Sequence, residues 1–400
     1  MNYKEEFPIL NTGVIYLDNG ATTLKPNRVI NKIAECMRDY PTNAHRGDYK
    51  LSVKSSSEFE KARETVRKFI NAKSNKEIIF TSGSTESINE VVYGYFMNKL
   101  SKYDEVLITK SEHASNILPW FDLEKKIGIK VKYIPLNEDY TFSIDNLIKS
   151  ITDKTKVLSI SEITNVIGDI RDIKKITEIC HKNNIKVLVD GSQSVGHIKI
   201  DVQDSDADFY ALSSHKMLGP NGVGVLYGKE ELLNELDSIK KGGGTTISFD
   251  DSNSIIYKDL PYKLEAGTQN IPGVIGLMEA INYINEIGID NIHEYCCSLK
   301  EYLVSKLEKL NNIIIYNKDI EGFIVTFNVK DVFAQDTAIY LDKYNICVRS
   351  GDHCDKKLKE ELNITNTVRI SLYFYNTKEE MDKLVEVLKN DKLLEESLGV

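Results

Sequence analysis

Two apolar runs in this chain end in groups suited to carbonyl chemistry. Asp208-Phe209-Tyr210-Ala211-Leu212-Ser213-Ser214-His215-Lys216 reads as a short strand emptying into a polar turn that closes on a lysine. Val187-Leu188-Val189-Asp190 is a second strand, closing on a carboxylate. A lysine just past a buried strand loses solvation, drops its pKa and acts as a neutral amine toward an aldehyde. With an acid to hold a pyridinium proton, Lys216 and Asp190 are the two groups a pyridoxal 5'-phosphate (PLP) enzyme requires. Most lysines are solvated surface residues, so the pair carries weight only in company.

Several other polar turns follow apolar strands. Thr81-Ser82-Gly83-Ser84-Thr85 lies between a strand and a helix, where hydroxyls and free N–H groups either bind a phosphate or simply cap the helix. Glu112-His113 follows Val106 to Thr109, and an imidazole there could stack on a planar cofactor, relay protons or be an ordinary loop histidine. Asn165 and Gln193 offer amides after two further strands. Arg369 stands alone among β-branched residues, so it needs an anionic partner, either a ligand carboxylate or a buried acid. Cys354 sits in Arg349-Ser350-Gly351-Asp352-His353-Cys354-Asp355, a polar turn after a strand. Gly351 permits mobility there and His353 could favour a thiolate, whereas Asp352 and Asp355 oppose one.

The elements that must position these groups alternate. From about residue 54 to 230, helical spacings (Phe59, Ala62, Val66, Phe69, Ile70) interleave with strand runs such as Ile78-Ile79-Phe80 and Val157-Leu158-Ser159-Ile160. That alternation predicts a mainly parallel sheet covered on both faces, with ligands at the carboxyl ends of its strands. Lys241-Gly242-Gly243-Gly244-Thr245-Thr246 breaks the pattern and reads as a flexible loop rather than a phosphate cradle. Beyond Pro261 the texture becomes α+β, with helices near 273–287 and 291–310, strands at 313–315 and 323–327, and a final helix from Lys378. The expected division is a large domain of residues 16–260 and a smaller one of residues 1–15 and 261–400.

Composition narrows the function. The chain has 400 residues, with 51 basic against 60 acidic side chains, a net charge of −9 spread without long blocks. This speaks against nucleic acid as a main partner. The first six residues form no signal-peptide pattern, and no apolar run approaches the roughly 18 residues of a membrane span. The expected location is the cytoplasm, with no membrane contact. The six cysteines (36, 180, 296, 297, 347 and 354) form no CxxC pair or zinc-ligand spacing, so free thiols and no metal are expected. Cys180 and Cys347 read as core residues. Cys296 and Cys297 are neighbours on a helix and point apart.

Taken in order, the motifs resemble those of a known family. They are Tyr16-Leu17-Asp18, His45-Arg46-Gly47, Gly83-Ser84-Thr85-Glu86, Glu112-His113, Asn116-Ile117-Leu118-Pro119-Trp120, Asn165-Val166-Ile167-Gly168, Asp190-Gly191-Ser192-Gln193, His215-Lys216 with Gly219-Pro220, Glu265-Ala266-Gly267-Thr268, and Arg349 to Cys354. The series resembles the class V aminotransferase-like branch of fold-type I PLP enzymes, most closely SUF-type cysteine desulfurases and selenocysteine lyases. The resemblance implies that Lys216 carries PLP, Asp190 pairs with the ring nitrogen, His113 stacks on the ring and Gln193 meets its hydroxyl oxygen. Ser84, Thr85, Ser213 and His215 would hold the phosphate, with Thr268 reaching in from the other subunit of a homodimer that shares its active sites. Asn165, Arg369 and Arg349 would bind the substrate, and Cys354 would accept its sulfur.

The implied reaction converts L-cysteine to L-alanine. Sulfur passes to Cys354 as a persulfide and then to an acceptor protein for iron–sulfur cluster or thio-cofactor assembly. The alternatives are a selenocysteine lyase acting on L-selenocysteine, another class V enzyme, or a non-catalytic PLP-binding scaffold. Departures from the family pattern include Ala114 after Glu-His, Ser214 before His215, and the aspartates flanking His353-Cys354. They suggest a slow basal enzyme dependent on its acceptor, with an acidic turn shaping the docking site.

Overall fold

The computed structural model describes residues 3–45 and 47–389. Arg46 of the His-Arg-Gly motif, and residues 1–2 and 390–400 of the expected small domain, lie outside the described residues. The strands in chain order are β1 Ile15–Tyr16, β2 Ile78–Thr81, β3 Glu105–Thr109, β4 Lys130–Ile134, β5 Thr155–Ser161, β6 Lys186–Asp190, β7 Phe209–Ser213 and β8 Gly224–Gly228. They continue with β9 Thr246–Phe249, β10 Ile255–Tyr257, β11 Ile313–Ile315, β12 Ile324–Val329, β13 Ile346–Cys347, β14 Arg349–Gly351 and β15 Thr367–Ser371.

The central sheet has seven strands in the order β2-β8-β7-β6-β5-β3-β4. Only β8 runs against the rest. β3, β5, β6, β7 and β8 are buried along their whole length or nearly so, as expected for strands covered on both faces. The carboxyl ends of β2, β6 and β7 share one edge, which brings Thr81, Asp190 and Ser213 together. Helices cover the faces because their apolar spacing matches the helical period. In Ile173–Lys182, for example, Ile173, Ile176, Thr177 and Cys180 are buried and Asp172 caps the first turn through Lys175 N.

A second, antiparallel sheet runs β11-β12-β15-β14. β1 pairs in parallel with β13, and Asp18 bridges to Ser371, so the chain's start lies beside its late strands. Phe7 packs against Tyr375 at a centroid distance of 4.5 Å. The helix Asn27–Asp39 packs chiefly on Ile271–Ile287, from beyond Pro261.

Two expectations change here. Cys347 is half-buried rather than a core residue, on the second strand of the two-stranded sheet of β1 and β13. The glycine-rich stretch does not end in more loop: it leads into a hairpin of β9 and β10, whose apolar side chains Ile247 (71 % exposed) and Phe249 (78 %) point to solvent. Trp120, the single tryptophan, is fully buried against Phe96 (5.4 Å), on the helix Leu118–Ile127 that follows the His113 turn.

Candidate active site

The strand ends open onto a cleft of about 420 Å³, within the usual size of a cofactor or ligand site. Lys216 enters from a single 3₁₀ turn, Ser214–Lys216, directly after β7. The turn is anchored through the His215 carbonyl, which accepts hydrogen bonds from Thr22, Thr23 and Lys25. Burial lowers the Lys216 ammonium to about 8; Asp190 opposes that shift, while Arg369 and Arg349 add to it. The lysine is therefore an amine that sheds its proton easily.

Asp190 closes β6 at the floor of the cleft. Burial raises its carboxyl, and donors from the Ser192 N–H (3.0 Å) and Ser192 Oγ (2.5 Å) oppose this. Ser192 is the third member of a hydroxyl chain, since its Oγ reaches Ser84 Oγ (2.7 Å) and Ser213 Oγ also reaches Ser84 Oγ (2.9 Å). Gly191 is required between Asp190 and Ser192, because a Cβ there would stand 2.0 Å from the Tyr210 ring. Gly224 is required for a similar reason: its Cβ would meet the Gly83 backbone at 2.4 Å, so β8 could not lie beside the Ser84 turn.

His113 leaves β3 beside the cleft. Its Nδ1 accepts from the Ser115 N–H (3.2 Å), which assigns the ring proton to Nε2. Burial and the nearby cations Lys216, Arg369 and Arg349 lower it to about 4, so the ring is neutral. Its neighbour Glu112 is fully buried and accepts from Arg171 (2.6 Å), Asn116 (2.9 Å), Thr109 (2.8 Å) and the Ser161 N–H (2.8 Å). That network fixes the turn holding His113. Gln193 lines the cleft and donates to the Gly20 carbonyl at 2.9 Å.

Two guanidiniums stand together, because Arg349 on β14 is the register partner of Arg369 on β15. Arg369 is buried and donates to the Asn165 carbonyl (2.9 Å) and to Asp18 (3.1 Å), while its Nε has no partner. Asn165 in turn donates to the His353 carbonyl at 2.8 Å.

Cys354 is exposed, next to His353, which lines the cleft. Its carbonyl accepts from the Ala114 N–H (2.8 Å), next to His113, and its own N–H donates to Asp352 (3.0 Å). A charge on Cys354 is close enough to act on Lys216. His353 and Cys354 both adopt left-handed backbone conformations, with φ of 55° and 57°.

The turn corrects two expectations. His353 does not favour a thiolate: its ring is buried, Nε2 is bonded to Thr367 Oγ1 (2.9 Å), and burial with nearby cations holds it neutral, far below the usual imidazole range. Asp355 is not a surface charge beside the thiol. It is buried, caps the helix Lys356–Leu362 through Leu358 N (3.2 Å), and burial raises its pKa well above the carboxylate range. The acidic turn thus reduces to Asp352.

Ser84, Thr85, His113, Asn165, Asp190, Gln193, Ser213, His215, Lys216, Arg349 and Arg369 line one cleft. Cys354 and Thr268 do not: Cys354 follows the lining residue His353, and Thr268 is exposed outside, within 3.4 Å of Asn43. Its segment is fixed by Glu265, which accepts from Arg63 (2.7 Å) and from the Phe80 N–H (2.7 Å). Sequence reasoning gave no role to Asp18, Ser192 or Arg171. Asp18 follows the short strand β1, and an acid after a strand was the signal available for it.

The fold and this cleft define an α/β enzyme built around a strand-end lysine, a buried acid and a pair of neighbouring arginines. The aminotransferase class-V family profile matches residues 15–384, and the chain belongs to that family. It is 42 % identical over 394 residues to a protein of Halalkalibacterium halodurans named "probable cysteine desulfurase", covering 97 % of each. A protein of the same name from Staphylococcus aureus is 42 % identical over 395 residues, covering 97 % of this chain and 95 % of the relative. Among solved structures, the apo cysteine desulfurase of Thermococcus onnurineus superposes with a TM-score of 0.93 at 33 % identity, covering 99 % of this chain and 98 % of the other. The cysteine desulfurase CsdA of Escherichia coli, in an S-sulfonic acid form, gives 0.92 at 34 % identity, covering 98 % of each.

Proposed function

We propose that this chain is a PLP-dependent cysteine desulfurase that converts L-cysteine to L-alanine and receives the sulfur on Cys354. The observation that carries this reading is an exposed thiol one residue beyond the lining of the cleft that holds Lys216 and Asp190, close enough for its charge to act on Lys216. The cleft fits the cofactor. A hydroxyl cluster of Ser84, Thr85 and Ser213 with His215 suits a phosphate, and the buried acid Asp190 suits a ring nitrogen. When bound, PLP supplies an aldehyde for Lys216 and a ring that accepts the electron pair released at the substrate α-carbon.

The protein's own groups do the rest. Asp190 would hold the proton on the ring nitrogen, and neutral His113 would cover one ring face. Lys216, with its pKa lowered to about 8, takes and returns protons at the α-carbon. Arg369 and Arg349 receive the substrate carboxylate; the free Nε of Arg369 leaves a donor for it. The Cys354 thiolate attacks the substrate sulfur. An S–S bond forms, the C–S bond breaks with its electron pair going to carbon, and carbon is protonated on the way to alanine. A thiolate of an acceptor protein then attacks the outer sulfur of the persulfide, taking it and releasing Cys354 as the thiolate.

We also propose a homodimer in which Thr268 serves the partner's cleft. Thr268 and the exposed hairpin form one surface, since Gly267 N donates to Gly243 O at 2.8 Å just before β9. The expected division into a domain of residues 16–260 and one of residues 1–15 and 261–400 belongs to the same reading.

The test is to incubate purified protein with L-cysteine and a reductant and quantify alanine and sulfide. Cys354→Ala should retain the yellow cofactor yet lose alanine production, and unchanged alanine output would reject the role of Cys354. A parallel run with L-selenocysteine decides between desulfurase and lyase. Adding an acceptor protein should speed turnover, and equal sulfide release without one would reject acceptor dependence.

A further inference from the structure

We propose that His293, Cys297 and Glu321 form a binding site for a thiophilic divalent cation, with Zn²⁺ the best match. His293 and Cys297 lie four residues apart on the helix Ile289–Leu307, so they share one face. Glu321 comes from the turn between β11 and β12. The His293 Nε2–Cys297 Sγ distance is 3.7 Å, Cys297 Sγ–Glu321 Oε1 is 3.9 Å and His293 Nε2–Glu321 Oε1 is 3.6 Å. A tetrahedral Zn²⁺ with ordinary N, S and O bond lengths keeps its donors about 3.3–3.6 Å apart. The three donors therefore need to close by only a few tenths of an ångström.

The surroundings hold the donors in place. Lys300, one turn after Cys297 on the same helix, donates to the Ile320 carbonyl and so fixes the turn that carries Glu321. The Gly322 N–H hydrogen-bonds the Cys297 sulfur, a contact that favours a thiolate. A cleft of about 350 Å³ borders Cys297, Lys300 and Glu321, leaving room for water as a fourth ligand. One nitrogen, one sulfur and one carboxylate oxygen make a donor set that suits Zn²⁺ and excludes the all-oxygen preference of Mg²⁺ and Ca²⁺. Forming the S–Zn bond displaces the Cys297 thiol proton to solvent, with no change of oxidation state.

The site is independent of the cleft and of the activity proposed for it. It is tested on the holoenzyme carrying Cys354→Ser, which removes the exposed thiol as a competitor. Calorimetric titration with Zn²⁺ should show one ion per chain, with a proton released on binding. Co²⁺ should give a near-ultraviolet thiolate charge-transfer band. Adding Cys297→Ser should abolish that band, and His293→Ala should weaken Zn²⁺ on the order of 100-fold. Should Cys297→Ser fail to fold, protection of Cys297 from maleimide labelling by Zn²⁺ in the otherwise native chain replaces it. A Co²⁺ spectrum without the thiolate band, unchanged affinity in His293→Ala, or unprotected Cys297 overturns the proposal.

Discussion

Arg369 illustrates how a single side chain serves two demands. Its guanidinium is buried, shares Asp18 and the Asn165 carbonyl, and keeps one N–H unpaired. A planar fork satisfies all three directions, and an ammonium cannot. Arg369→Lys should therefore raise the KM for L-cysteine by about tenfold or more while the cofactor spectrum is retained. Lys216 gives a pH prediction. Burial lowers it from 10.5 to about 8, so the free amine gains population as pH rises through 8. The rate at which apoenzyme regains its visible absorbance with added PLP should climb between pH 7 and about 9, then level off. A flat rate over that range would contradict it. Sequence alone exposed Lys216, Asp190 and Cys354, because each ends a recognisable strand or turn. It did not expose the Asp18–Arg369 pair, whose members are separated by 351 positions. It also concealed Asp355, whose neighbour in sequence is exposed while its own side chain turns inward to cap a helix.

The turn from Asp352 to Asp355 is where element-scale forces collect. Two consecutive non-glycine residues in the left-handed region cost roughly 1–2 kcal/mol each. Hydrogen bonds to Ala114, Asn165 and Asp352 hold them there. Asp355 adds a second cost, because its Oδ2 is buried without a partner. Its folded pKa is raised, so its effect is least harmful below the ordinary carboxylate pKa, and stability is lost as pH climbs above it. Asp355→Asn keeps an acceptor for Leu358 N and removes the ionisation. It should raise the apparent melting temperature by about 2 °C at pH 7, with the gain vanishing near pH 4. Differential scanning calorimetry at the two pH values checks this. The helix after the turn was legible in sequence as a run of charged residues at best. Its cap is the inward-turned Asp355, and the direction of His353 depends on Thr367, which arrives from another strand.

At the scale of the molecule, alternation of strands and helices announced the parallel sheet, because strands covered on both faces read as unbroken apolar runs. The hairpin β9–β10 escaped notice, and its side chains Ile247 and Phe249 stand exposed among the described residues. A second copy covers them in the proposed dimer. Replacing Ile247 and Phe249 by Asp should convert dimer to monomer in light scattering and lower cofactor occupancy through loss of the partner's Thr268. A dimer that persists in that variant would place the interface elsewhere. The proposed cation site was hidden by the same distance: a search for paired cysteines passes over a histidine and cysteine one turn apart, and Glu321 lies beyond their helix.

Trp120 has a use unrelated to stability. It is the chain's single indole, sealed from water, on the helix that leaves the His113 turn. Its emission overlaps the absorption of a bound pyridoxal group, and such overlap drains the excited state by energy transfer. Loading the cleft with that group should therefore dim the indole emission in a fluorescence titration.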